Sequence, residues 1–127
     1  QKEIKKIKKQ NIKILVLGLS FKSNTSDIRF SPTFNLIDKF ISNKYNIDLF
    51  DPLVSKSNLD NKYQKLYIDK LIKFDSYNIF LFLTAHEKFN NIFSLKLLNK
   101  SKKYIIFDGR GYFNKDISSK NIKYIKI

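Results

Sequence analysis

Arg29 and Arg110 are the two arginines of this 127-residue chain; every other basic residue except His86 is lysine. A guanidinium is a flat, permanently charged fork suited to phosphate or carboxylate, which the point charge of lysine does not copy. Two uses are open to it here. The arginines contact an anionic ligand, or they pair with Asp27 and Asp108 to hold loops together. Lys, Asn, Ile, Phe and Tyr dominate the rest of the sequence, the mark of a coding bias against Arg, Gly, Ala and Pro. The residues that survive such a bias fall into four clusters: V-L-G-L-S-F-K-S-N-T-S-D-I-R-F-S-P (16–32), F-D-P (50–52), T-A-H-E-K-F (84–89) and F-D-G-R-G (107–111).

Other chemistry in these clusters is limited. Lys22 adds a cation beside the arginines. His86, the single histidine, has the intrinsic range of a general base; with no evident partner it reads instead as a loop or helix-start residue. Asp51 stands where an acid could meet a ribose, but Asp-Pro is also a plain turn signal. The loop after residue 17 has one glycine, not the three of G-x-G-x-x-G, and lacks G-x-x-x-x-G-K. Phe21, Tyr112 and Phe113 are candidates to pack on a base or sugar, although most of the 19 Phe and Tyr residues belong in a core. With no cysteine and one histidine, disulfides, a thiol nucleophile and a zinc site are not expected.

The elements that must position these clusters alternate. Residues 12–18 read as a buried strand ended by glycine. Ser31 suits a helix N-cap and Pro32 the first helical position. Phe34, Ile37 and Ile41, with Leu36 and Phe40 beside them, follow at helical spacing. A short strand follows at 47–50, then a polar loop at 55–62 and a helix around 65–74. The run 77–84 is the clearest strand, apolar enough to be covered on both faces. Short helical pieces within 86–92 and 94–99, a strand at 104–107 and a last one near 122–127 complete the chain. This order predicts an α/β, Rossmann-like three-layer domain with a mostly parallel sheet and helices on both faces. Ligands of such sheets sit outside the carboxyl ends of the strands, where the clusters begin. Lys22, Arg29 and Arg110 are therefore expected at one crevice, fit for a diphosphate, with the helix start at 31–32 assisting.

The formal charge is +14 and the isoelectric point near 9.9. The lysines are spread along the whole chain apart from Lys2 to Lys13, so specific nucleic-acid binding is disfavoured against a generally basic surface. No apolar run is long enough to span a membrane, and the first residues lack a signal-peptide core. A chain starting at Gln1 suggests a fragment of a longer protein. Residues 1–10 are read as a basic leader, the end of an upstream linking helix, and 11–127 as one domain.

Taken in order and at this spacing, G-L-S-F-K-S-N-T-S-D-I-R-F-S-P, F-D-P, L-T-A-H-E-K-F and I-I-F-D-G-R-G closely resemble the C-terminal domain of the UDP-glucose/GDP-mannose dehydrogenase family. The resemblance runs from about Asn11 to Tyr112. It implies a Rossmann-like domain that closes over a nucleotide sugar, joined in the whole enzyme to an upstream NAD-binding domain and a central helical region that forms a homo-oligomer. The implied reaction is the two-fold, NAD-dependent oxidation of a sugar C6 hydroxymethyl group to a carboxylate, supplying a uronic acid precursor for surface polysaccharide. By position, Phe21, Lys22, Ser23, Asn24 and Thr25 resemble substrate contacts, and Arg110 the arginine at the substrate's nucleotide portion. Arg29 resembles the residue that reaches to NAD on the other domain. Phe30 stands where the family usually has a glutamate. The family's thiol nucleophile, acid/base groups and NAD glycine motif lie upstream, so no catalytic or metal-binding residue is assigned here. UDP-glucose is the first choice of substrate, with UDP-N-acetylhexosamines and GDP-mannose open. The rival reading is a stand-alone basic α/β module that binds nucleotides or nucleic acid without catalysis.

Overall fold

A computed structural model describes residues 11–68 and 72–127. The expected leader at 1–10 lies outside the described residues, as does 69–71 within the expected helix around 65–74.

Five strands form one sheet: β1 (Lys13–Leu17), β2 (Asn46–Phe50), β3 (Ile79–Phe82), β4 (Tyr104–Asp108) and β5 (Ile122–Lys126). They run in the order β2-β1-β3-β4-β5, and every pairing is parallel. The expected strands are therefore present within a residue or two of their ends. Their sequence explains the arrangement: β1 and β3 occupy the middle, and every residue of β3 is buried. Apolar runs without alternation suit strands covered on both sides. The outer strand β5 carries Lys123 and Lys126, charges that discourage further pairing at an edge.

One face is covered by α1 (Thr33–Ser42) and the single turn α2 (Asn61–Gln64). Ile37 and Phe40 of α1 and Tyr63 of α2 pack there with Ile14, Val16, Ile47, Leu49, Ile79 and Leu81. α1 starts one residue later than Ser31-Pro32 predicts: Pro32 itself takes the cap position, and the Ser31 hydroxyl accepts the Thr33 N–H at 3.4 Å. Its buried side is Thr33, Ile37 and Phe40, rotated from the predicted stripe, and Ile41 points outward. The helix closes on Lys44 at φ 61°, with Lys44 N–H donating to Ile41 and Tyr45 N–H to Phe40. Glycine is the usual residue at this left-handed position. A lysine there costs about 1 kcal/mol and is consistent with a sequence poor in glycine.

The opposite face has no α-helix among the described residues. Two 3₁₀ turns, Glu87–Asn91 and Leu95–Leu97, cover it instead. Asn90, Asn91, Ser94 and Asn99 compete for backbone hydrogen bonds in this stretch and oppose a long helix. The covering layer is aromatic: Phe74, Phe80, Phe82, Phe89, Phe93 and Tyr104 pack with Leu15, Leu17 and Ile106. Edge-to-face geometry recurs, as in Phe82 against Phe89 at 5.8 Å and 90°.

Two expectations fail between β2 and β3. The polar stretch 55–62 contains a 3₁₀ turn at Lys56–Asn58 and the start of α2. No helix follows at 65–68. The backbone runs beside β2 there: Leu49 N–H donates to Leu66 and Ile68 N–H to Leu49, forming a parallel bridge between Leu49 and Tyr67. Residues 66–68 of the expected helix extend the sheet edge instead.

Candidate functional site at the carboxyl edge of the sheet

Because the strands are parallel, β1 to β4 all deliver their following loops to one edge. The four clusters meet there. Gly18 ends β1 at φ +103°, and a Cβ on it would lie 2.5 Å from the Thr84 Cβ. Only glycine fits that approach, which brings the loops after β1 and β3 together.

Behind the surface is a buried polar knot. Asp51, at the end of β2, is fully buried. Its Oδ2 accepts Leu19 N–H at 2.7 Å, Ser20 N–H at 3.3 Å and His86 Nε2–H at 2.9 Å, while Oδ1 accepts Leu53 N–H at 2.9 Å. His86, also fully buried, accepts the Asn24 N–H on Nδ1 at 2.8 Å. That bond leaves Nδ1 without a proton and puts the ring in the Nε2–H form. The Ser20 hydroxyl lies 3.3 Å from Nε2 and donates to the Lys22 carbonyl at 2.8 Å. Thr84 Oγ1–H donates to the Ser20 carbonyl at 2.8 Å. Ser20, His86 and Asp51 thus share a corner without forming a nucleophilic triad. Serine and aspartate face the same nitrogen, which already bears the proton a base would have to accept. Asp51 likewise has no oxygen turned outward for a ribose.

In front of this knot the loop after β1 is exposed. Phe21, Lys22, Thr25, Asp27, Arg29 and Phe30 line a recess of about 290 Å³. Thr25 Oγ1–H donates to the Lys22 carbonyl at 3.1 Å. Arg29 grips Asp27 with two parallel bonds, Nε–H to Oδ1 at 3.0 Å and Nη2–H to Oδ2 at 2.9 Å. These bonds hold the Asp27 carboxyl down at about 2. Phe30 is 93% exposed and adopts φ 59°, a rare backbone for an aromatic residue.

Arg110 is placed differently. The Asp108 carboxylate accepts Tyr112 N–H at 2.7 Å, Phe113 N–H at 2.8 Å and the Tyr124 hydroxyl at 2.7 Å, with Arg110 N–H farther at 3.4 Å. Burial, then the bond to Asp108, pushes the Tyr124 phenol up to about 12. Among the described residues no carboxylate pairs with the Arg110 guanidinium. It lies 5.7 Å from the centre of the Phe21 ring, in cation–π geometry. Of the two uses open to the arginines, pairing with the neighbouring aspartate holds for Arg29 and fails for Arg110, where Asp108 shapes the loop backbone instead.

Phe21, Lys22, Thr25 and Arg29 thus share the recess, and Arg110 joins it over Phe21. Ser23 is exposed but outside the lining. Asn24 is drawn backward, its N–H on His86 and its Oδ1 accepting the Glu87 N–H at 2.8 Å. Tyr112 and Phe113 are not open platforms for a base. Tyr112 stacks on Phe82 at 4.9 Å and 5°, and Phe113 packs edge-on to both Phe82 and Tyr124. The residues missed by sequence reasoning are Ser20, Thr84 and Tyr124. Ser20 and Thr84 stand inside the rare-residue clusters, and that membership is the one signal that could have marked them.

The UDP-binding-domain profile of the UDP-glucose/GDP-mannose dehydrogenase family matches residues 15–115. The UDP-glucose 6-dehydrogenase of Rickettsia bellii is 29% identical over 119 residues, 90% of this chain and 27% of that protein. The UDP-N-acetyl-D-mannosamine dehydrogenase of Methanocaldococcus jannaschii is 27% identical over 126 residues, 93% of this chain and 27% of its own length. Among solved structures, the native UDP-N-acetyl-mannosamine dehydrogenase of Staphylococcus aureus superposes with a TM-score of 0.71 at 25% identity, over 98% of this chain and 28% of that one. The chain therefore spans about a quarter of the length of these relatives. Both the match across the domain and the meeting of its four clusters at one sheet edge lead to the same conclusion: this chain belongs to the UDP-glucose/GDP-mannose dehydrogenase family, as its UDP-binding domain.

Proposed function

We propose that the chain holds the nucleotide portion of a nucleotide sugar for an NAD-dependent 6-dehydrogenase, with UDP-glucose the first-choice substrate and UDP-N-acetylhexosamines and GDP-mannose the alternatives. The observation that carries this reading is the Arg110 guanidinium, free of any carboxylate among the described residues and lying over the exposed Phe21 ring at the mouth of the recess. A fork-shaped cation beside an aromatic surface suits a diphosphate attached to a nucleoside. Lys22 adds positive charge, and the Thr25 and Ser20 hydroxyls fix the Lys22 backbone beneath it. Ser23 and Asn24 complete the contact loop, Ser23 by its exposed side chain and Asn24 by its shape.

NAD is not cradled by these residues. The turn after β1 packs Gly18 against Thr84 with no glycine-rich approach, and Asp51 is saturated and buried. In this reading NAD belongs to a separate domain of the same protein, and Arg29, exposed and steadied by Asp27, reaches toward it. Dimerisation through a central region and a cytoplasmic setting belong to the same proposal. Among the described residues no helix is long and apolar enough to cross a membrane.

The test is calorimetric titration of the chain with UDP, GDP and inorganic pyrophosphate. The reading expects UDP to bind more tightly than pyrophosphate, and binding to survive moderate salt. Equal affinity for any polyanion, collapsing steeply with salt, would favour the basic module instead. NADH formation from UDP-glucose by the product of the whole reading frame tests the wider reading.

A further inference from the structure

We propose that His86 is a positioning residue: its imidazole locks the loop after β1 into the shape that presents Phe21, Lys22 and Thr25. This rests on the nucleotide-binding reading of that loop. The ring is buried and aimed at no ligand, yet each of its nitrogens has a defined task. Nε2–H faces Asp51, which also holds the Leu19 and Ser20 backbone at the start of the loop. Nδ1 receives the N–H of Asn24, four residues after Ser20. One ring therefore fixes both ends of the segment 20–24 against the end of β2.

Asn24 is where this matters most. It sits at φ 62°, a left-handed conformation that asparagine tolerates better than most non-glycine residues but still at some cost. Two bonds from the loop after β3 oppose that cost, His86 Nδ1 on its N–H and the Glu87 N–H on its Oδ1. With residues 20 and 24 tied down, Phe21, Lys22 and Ser23 bow outward. The Lys22 carbonyl is turned inward to the Ser20 and Thr25 hydroxyls. Among the described residues the charged group facing the imidazole is Asp51; the loop after β1 offers Ser20 and the Asn24 amide, and the β3 loop turns the Phe89 ring toward it at 5.4 Å. A donor on one side and an acceptor on the other is therefore the whole requirement.

The experiment compares the chain with its His86→Phe, His86→Gln and Asn24→Gly variants, reading UDP affinity by calorimetry and amide exchange at Asn24 by NMR. Phenylalanine fills the space but has neither donor nor acceptor. Glutamine cannot act as an imidazole base, yet its amide offers both a donor group and an acceptor oxygen. His86→Phe is expected to weaken UDP binding about tenfold and to lose the protection of the Asn24 amide. His86→Gln should restore both to near wild type, and Asn24→Gly should fall between. A folded His86→Phe protein with wild-type affinity, or with Asn24 still protected, overturns the proposal. So does a His86→Gln variant as impaired as His86→Phe. If His86→Phe does not fold, the glutamine and glycine variants decide alone. Failure of the wild-type chain to bind UDP would count against the nucleotide reading itself, and the exchange arm would still judge the clamp: an unprotected Asn24 in the wild-type chain overturns it.

Discussion

Asp27-Ile28-Arg29 and Asp108-Gly109-Arg110 have the same spacing of acid and base, and the fold uses them in opposite ways. Asp27 stands in an exposed loop, where no buried donor competes for its oxygens, and it takes the Arg29 guanidinium in two parallel bonds. Asp108 ends a buried strand, where Tyr112, Phe113 and Tyr124 have already claimed its oxygens. Its arginine turns away to Phe21. The difference is one of burial. Unpaired backbone N–H groups in an interior are costly enough to capture a nearby carboxylate, whereas in solvent the adjacent cation wins. A buried Asp-x-Arg therefore frees its arginine for a ligand, and an exposed one commits it to its neighbour.

Removing the acids should separate the two regions most sharply. Asp108→Ala leaves three donors without their acceptor and should cost about 3 kcal/mol or more in chemical denaturation. Asp27→Ala should lower the denaturation midpoint only slightly, because an exposed pair contributes little. Equal losses would break the comparison. Replacing the arginines reverses the ranking for binding. Arg110→Lys keeps the charge but loses the planar fork, and the UDP dissociation constant should rise about tenfold, or about 1.4 kcal/mol. Arg29→Lys should leave UDP affinity unchanged in this chain, since Arg29 is assigned to a different partner.

How much of this was legible in the sequence follows the same line. The strands could be read because β1, β3 and β4 are unbroken apolar runs, and parallel order then put the four clusters at one edge. The segment 65–68 misled because a short apolar run such as Leu66, Tyr67 and Ile68 fits a buried helical turn or a sheet edge alike, and only the neighbouring Leu49 decides between them. The roles of Asp108 and His86 were hidden for a different reason. Tyr124, Asp51 and Asn24 are distant from them in sequence, and the nearer Tyr112 and Phe113 meet Asp108 through backbone N–H groups, so neither kind of bond leaves a side-chain pattern. Gly18 could be marked as special, but the Thr84 side chain that requires it could not.

Smaller effects refine the contrast. Tyr124→Phe removes one bond to Asp108 and should cost about 1 kcal/mol. The Tyr124 phenol, raised to about 12, favours the neutral form in the fold. Its contribution is complete below the unfolded value near 10 and disappears as pH rises through about 12, a shift visible in the alkaline limb of unfolding curves. Asp27 behaves in the opposite sense. Its carboxyl, held at about 2, contributes above the ordinary value of 3.8 and loses that contribution as pH falls through about 2. Carboxyl NMR should follow this titration, and Arg29→Ala should return it toward the ordinary range.

The most direct test is an amide-resolved NMR titration of the chain with UDP. The account predicts saturable shifts gathered at residues 20–25 and 108–111, with the Arg110 side-chain signals among the largest. A second groove, at the amino edge of the sheet, is lined by Ile79, Tyr104, Ile122 and the surrounding lysines 103, 120 and 123. Shifts confined to that edge, or spread over the lysines without saturation, would contradict it.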